Sequence, residues 1–174
     1  MFYALQIDSN GNGIGSHTYV EEPSTYPSNE VPCTQAQAQN PTLYQVVGGQ
    51  IVESLTAAQS AQIALLQSSA QKAEQAPLTY TTSGGVTATF LMTPHQWTKF
   101  MGAYTKYVVK GDTFPSGYSF FDQNGKPVPV TVADISGIFD AGMAQIEGAM
   151  SKLSSLVAQV EAATTVSAVQ AIVW

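Results

Sequence analysis

Arginine is absent from this sequence, and charge of either sign is scarce. Asp, Glu, Lys and Arg together make up 10% of the 174 residues, against roughly 25% in an average globular domain. Gln, Ser and Thr hold the polar positions instead. The six lysines are scattered along the chain and the formal net charge is −6. Nucleic acid is bound by clustered Lys and Arg facing phosphates, and anionic lipid by similar chemistry. Neither is expected as a partner.

Cysteine occurs once, so Cys33 has no intrachain disulfide partner. A redox role for it would need an exposed, activated thiolate. Also missing is any run of about 20 apolar residues, the length that spans a bilayer. The opening MFYALQIDSNG has neither the basic nor the apolar region of a secretory leader, so the expected location is the cytoplasm during synthesis. Histidine occurs twice, and His17 and His95 lie in separate segments without a further ligand at helical spacing. No metal site is expected from them. There is no GxSxG nucleophile elbow. Asp134 and Asp140, six apart on one predicted helix, point to different faces and supply no carboxylate pair for acid–base work. Glu21 and Glu22 read as acidic loop surface. The expectation is a protein with no catalytic residues, no cofactor and no enzymatic activity.

What is present is a folded chain: 44% of residues are hydrophobic, too many for wholesale disorder. FYALQID and IGSHTYV flank a Gly/Asn-rich connection and predict a hairpin over Phe2–Val20. GNGIG lacks the lysine and following helix of a phosphate loop. EEPSTYPSNEVPC holds three prolines and predicts an irregular extended loop. TQAQAQN predicts one or two helical turns capped by Thr34. TLYQVVGGQIVES predicts two short strands about a tight primed turn at Gly48-Gly49.

Helical signals follow. Leu55 to Gln75 is Ala-rich with a thin stripe of Leu55, Ile63, Leu65 and Leu66, which suits a linker or a helix that buries its stripe against a partner helix. LTYTTSGGVTATFLM predicts a hairpin turning at Ser83-Gly84-Gly85. Thr93, Pro94 and Gln96 give helix-start signals for a helix to Val109. Trp97, Phe100, Met101, Tyr104 and Val108 make its apolar face, with Tyr107 at the edge. These aromatics read first as core, with a protein or sugar contact as the alternative. YSFF predicts a strand, followed by a turn at Asn124-Gly125 and a proline-broken extended segment. Thr131 caps a long helix to about Ala162, with Asp134 at its third position. Its apolar stripe runs through Ile135, Ile138, Phe139, Met143, Ile146, Met150, Leu153, Val157 and Val160. Gly142 and Gly148 within it suggest close packing. After Ala-Thr-Thr, Thr165 caps a last short helix ending near Trp174, which is expected to fold back and dock.

The predicted class is α+β: small antiparallel hairpins with several helices, one of them long. The expected segments are an N-terminal β-hairpin module at 1–54, a linker or oligomerisation helix at 55–76 and a C-terminal α+β domain at 77–174. The candidate protein-interaction residues are Leu55, Ile63, Leu66, Trp97, Tyr104, Tyr107 and Trp174.

From Phe90 onward the chain resembles the C-terminal tail-associated domain of phage and prophage tail fibre assembly-like proteins. The resemblance rests on YSFFDQNGKPVPVT with its DxNG turn, on TVADI at Thr131–Ile135 and on AQVEAATTVSAVQAIVW at Ala158–Trp174. It covers about half the chain. It implies a chaperone-like, non-enzymatic protein that binds tail fibre or baseplate proteins in the host cytoplasm. It also implies a homo-oligomer, a trimer being favoured because such fibres are trimeric. A structural component of the virion tail tip that faces the receptor, and a carbohydrate- or protein-binding module unrelated to phage, remain alternatives.

Overall fold

The structure, a computed structural model, describes all of residues 1–174. By its internal contacts the chain divides into two compact units: residues 1–66 together with 156–174, and residues 67–155. The division differs from the three expected segments. The C-terminal residues belong with the N-terminal hairpins, and the Ala-rich helix is shared between the units.

In the first unit, β1 (Phe2–Ile7), β2 (Gly13–Tyr19) and β3 (Glu30–Cys33) form an antiparallel sheet in the order β2-β1-β3. The strand β3 lies in the stretch expected to be irregular, and it contains Pro32. Ile7 N–H donates to Asn29 C=O, and Ala4 pairs with Pro32. Alternation of the antiparallel ladder then turns the proline nitrogen outward, where no donor is needed. Pro32 thus sits at an edge, the one place in a sheet that tolerates it.

Next come α1 (Gln35–Gln39), capped by Thr34 as expected, and a 3-10 turn at Pro41–Leu43. The strands β4 (Tyr44–Val47) and β5 (Gln50–Glu53) follow as an antiparallel hairpin. Gly48 and Gly49 have φ of 58° and 81°, the pair of positive angles that a type I′ turn requires and that glycine adopts without strain.

The helix α2 (Leu55–Glu74) then begins, and α4 (Val132–Ala162) and α5 (Val166–Gln170) complete the helical set. Gln59 of α2 donates its side-chain amide to the carbonyls of Val160, Glu161 and Ala163 at 3.1–3.4 Å. Those carbonyls lie at the end of α4, where backbone partners run out; of the three, Val160 C=O also accepts from Ala163 N–H at 3.2 Å. Gln62 donates to Ile172 C=O at 2.6 Å. Leu5, Leu66, Val160 and Val169 are fully buried here.

The second unit is built on two hairpins, β6 (Leu78–Thr81) with β7 (Thr87–Phe90) and β8 (Ser119–Phe121) with β9 (Pro127–Pro129). Between them run α3 (Pro94–Ala103) and a π-helical extension over Tyr104–Val109. The wider extension was not foreseen in the apolar spacing. Phe90, Phe100, Phe120, Val128, Ile135 and Ile138 form the centre of its core.

Asp134 joins two of these elements. Its carboxylate accepts from the Thr131 N–H and hydroxyl, the expected helix cap, and also from the Ser83 N–H at 2.7 Å and hydroxyl at 2.9 Å. The β6–β7 turn is thereby pinned to the start of α4. Along α4 the buried line is Ile135, Ile138, Gly142, Ala149 and Val160, and Met150, expected in the stripe, is 59% exposed. A straight helix advances 100° per residue, which places 149 on the line begun by 135, 138 and 142 and 150 off it. Gly142 answers to the expected close packing: a Cβ there would lie 2.5 Å from the Trp97 ring. Gly148 has no neighbour within 4 Å of such a Cβ, so it permits no close approach.

Candidate functional site

The aromatic residues singled out in the sequence lie against the core of the second unit. Trp97 and Tyr104 both stack on Phe139, with ring centroids at 5.6 and 3.9 Å. Tyr107 packs edge-on against Phe114 and Tyr118, and the chain of rings continues through Phe120 to Phe100 and Phe90. Offset stacking and edge-to-face contacts of this kind satisfy the ring quadrupoles within the fold. All three candidate aromatics are half-buried.

Leu66 is buried in the first unit, whereas Leu55, Ile63 and Trp174 are half-buried. Of the thin stripe of α2, Leu66 is buried at 1% exposure, Leu55 and Ile63 are half-buried and Leu65 is 62% exposed. The structure therefore does not bring the seven candidates to one surface.

Two further constellations emerge. The first is polar and is built on the β2-β1-β3 sheet. Glu30 is buried and accepts from His17 Nδ1 at 2.5 Å, from the Tyr19 hydroxyl at 2.5 Å and from Gln6 Nε2 at 3.3 Å. Tyr26, from the Pro-rich loop, packs edge-on against Tyr19 at 5.7 Å. Burial, the largest single influence, pushes the Glu30 carboxyl up, and the three donors together outweigh it, so the group is held below its ordinary range. The same contact to Glu30 raises the Tyr19 phenol, and burial adds to it. Alternation along β2 was the available signal, since His17 and Tyr19 are two apart and share a face. Glu30, 13 residues from His17, was not recognisable as their partner.

This arrangement orients an imidazole by a buried carboxylate. The adjacent Ser16 hydroxyl points elsewhere and donates to Ala38 C=O. One ionised acceptor, Glu30, ties three strands together. Cys33, on β3, has its thiol pushed up by burial, the opposite of an activated thiolate.

The second constellation is an apolar groove of about 300 Å³ in the first unit. One wall is Leu43, Tyr44, Glu53 and Ser54; the other is Ala58, Ala61 and Leu65 of α2 with Val166 of α5. Leu43 and Leu65 are 43% and 62% exposed. Glu53 is the only charged residue in its lining. In the second unit a shallow depression beside the π-helical turn holds Lys106, Lys110 and Asp112. Two lysines next to a carboxylate do not make the basic stripe that phosphate binding needs.

Residues 57–173 match the family model for a domain of unknown function, DUF4376. The chain belongs to the DUF4376 family. No curated protein and no solved structure matches it. The DUF4376 match takes in the whole second unit, nearly all of α2, which the units share, and in the first unit the end of α4 and all of α5. Residues 1–56 lie outside it. The groove thus has a family wall, from Ala58, Ala61, Leu65 and Val166, and a wall from outside the DUF4376 region, from Leu43, Tyr44, Glu53 and Ser54.

Proposed function

We propose that this DUF4376 protein is a non-enzymatic binding protein that takes another polypeptide into the groove of its first unit. One observation carries the reading: the groove combines exposed Leu43 and Leu65 with small Ala58 and Ala61 floors and a single charge, Glu53. Concave, mostly apolar sites with few polar groups are what binding surfaces use. The volume suits one or two large side chains and is small for a folded surface. The division of the walls supports a family-wide binding role tuned by residues outside the family region.

The further step, to a phage tail fibre or baseplate protein as partner and to assembly in the host cytoplasm or retention in the virion tail as setting, rests on the resemblance at Thr131–Ile135 and Ala158–Trp174. A trimer rests mainly on that resemblance, since the α2 stripe is partly covered within the chain, at Leu66, while Leu65 stays exposed. Co-expression with a candidate tail fibre protein tests the reading. The two proteins are expected to co-purify, and Ala61→Arg, which puts a long cation into the groove, is expected to abolish this with the fold intact by circular dichroism. Co-purification that Ala61→Arg leaves unchanged would remove the groove from the account. Absence of any complex would remove the fibre partner.

A further inference from the structure

The hairpin β4–β5 has two outer edges, and they differ. Ser54 N–H donates to Leu43 C=O at 2.8 Å, which marks that pair as a hydrogen-bonded rung. Rungs alternate along an antiparallel ladder, so Gln45 with Val52 and Val47 with Gln50 also bond across it. The backbone groups of Tyr44 and Val46 on β4, and of Ile51 and Glu53 on β5, therefore point outward.

On β4 these outward donors are taken. Tyr44 N–H donates to Pro41 C=O, and Val46 N–H donates to Gly11 C=O at 2.8 Å. On β5 they are not: β5 pairs with β4 alone, and no backbone or side-chain group of the chain reaches the outward N–H or C=O of Ile51 and Glu53. An edge of this kind is a template for another strand. Two other outer edges are blunted, β3 by the outward Pro32 nitrogen and β7 by Gln123 N–H, which donates to Thr89 C=O. The edge also adjoins the groove, since Glu53 belongs to both.

We propose that β5 is a strand-accepting edge: an extended segment of another protein, alternating apolar with basic residues, pairs with Ile51 and Glu53. The inference rests on the protein-binding reading above and supplies its geometry. Two outward donors and two outward acceptors over three residues ask for an extended backbone, as in β-augmentation. The groove beside them takes an apolar side chain from alternate positions of such a segment. Charge selects the kind of partner. Glu53 is the only charged residue between Thr34 and Gln71, and the whole chain carries −6. A basic strand is complementary to this edge, whereas a second copy of the chain brings another Glu53 within a net charge of −6.

The test uses the full ¹⁵N-labelled chain and a panel of blocked eight-residue peptides: valine alternating with lysine, with threonine and with glutamate. The valine–lysine peptide is expected to slow amide exchange at Ile51 and Glu53 at least tenfold. The glutamate peptide, and a valine–lysine peptide N-methylated on alternate residues, are expected to leave it unchanged. Ile51→Pro removes an outward donor without touching a rung and is expected to weaken peptide binding at least tenfold, with protection of Val52 retained as the sign of an intact hairpin. Glu53→Lys is expected to invert the preference toward the glutamate peptide. No slowing at Ile51 and Glu53 with any peptide overturns the proposal, as does equal binding of the N-methylated peptide. Slowing without peptide that grows with protein concentration assigns the edge to a second copy and also overturns it. Fibre co-purification that survives Ile51→Pro leaves the protein-binding reading standing and removes this one; peptide pairing at β5 in a chain that binds no fibre protein does the reverse.

Discussion

Glu30 and Asp134 are buried carboxylates that act as anchors, one in each unit. For both, burial raises the pKa and hydrogen bonds overcome it, leaving the group below its ordinary value. A carboxylate depressed in the folded state contributes stability above its unfolded pKa and loses it as pH falls through the folded one. The window is therefore acid, below the ordinary 4.5 of Glu30 and 3.8 of Asp134. Glu30→Gln is expected to cost about 1–3 kcal/mol near neutrality, the usual effect of disturbing buried hydrogen-bonded groups. The difference from wild type should shrink as pH drops below about 4, in denaturant titrations at several pH values. A constant difference across pH would mean that the lost contribution is shape rather than charge. The two α4 glycines make a second comparison. Ala at 142 meets Trp97 and Met92 and should cost roughly 1–3 kcal/mol by overpacking. At 148 it meets nothing and should stabilise by up to about 1 kcal/mol through helix propensity. Sequence placed both glycines on one helix but not their neighbours, so it suggested close packing at each.

Helix ends show the same dependence on distant residues. Gln145 of α4 donates its amide to the carbonyls of Ala73, Glu74 and Ala76 at 2.9–3.0 Å, as Gln59 of α2 does for the end of α4 in the other unit. Gln145→Ala removes the side-chain donor from these carbonyls, leaving Ala73 C=O only the Ala76 N–H, and should cost about 1–2 kcal/mol, with faster amide exchange confined to the final turn of α2. Unchanged exchange there would show that water replaces the amide without loss. The hairpins, the Thr34, Thr93, Thr131 and Thr165 caps and the long helix were legible in the sequence because each is a local pattern: a turn residue, a cap, a period. Two other features were not. The strand β3 exists because β1 offers it an edge that Pro32 tolerates, and the π-helical turn at Tyr104–Val109 leaves no mark on apolar spacing. The stripe of α4 was legible at Ile135 and Ile138 and again at Val160, and missed at Met150, where one residue of phase separates buried from exposed.

The candidate site was less legible than the fold, for a physical reason. A groove is made by residues that meet only after folding: Tyr44 and Glu53 from a hairpin, Ala61 from α2 and Val166 from α5. Small and weakly apolar, they carry no motif, whereas Trp97, Tyr104 and Tyr107 stand out by residue type and turn out to line the core. The first unit draws on both ends of the chain, a pairing that no local pattern announces. The central claim is that this groove receives another polypeptide. A photo-crosslinking amino acid at Ala61, in the full chain co-expressed with a candidate tail fibre protein, tests it most directly, with Val109, 65% exposed in the second unit, as the control position. The account predicts an adduct to the fibre chain from position 61 and none from 109. No adduct from 61, or equal adducts from both positions, would contradict it.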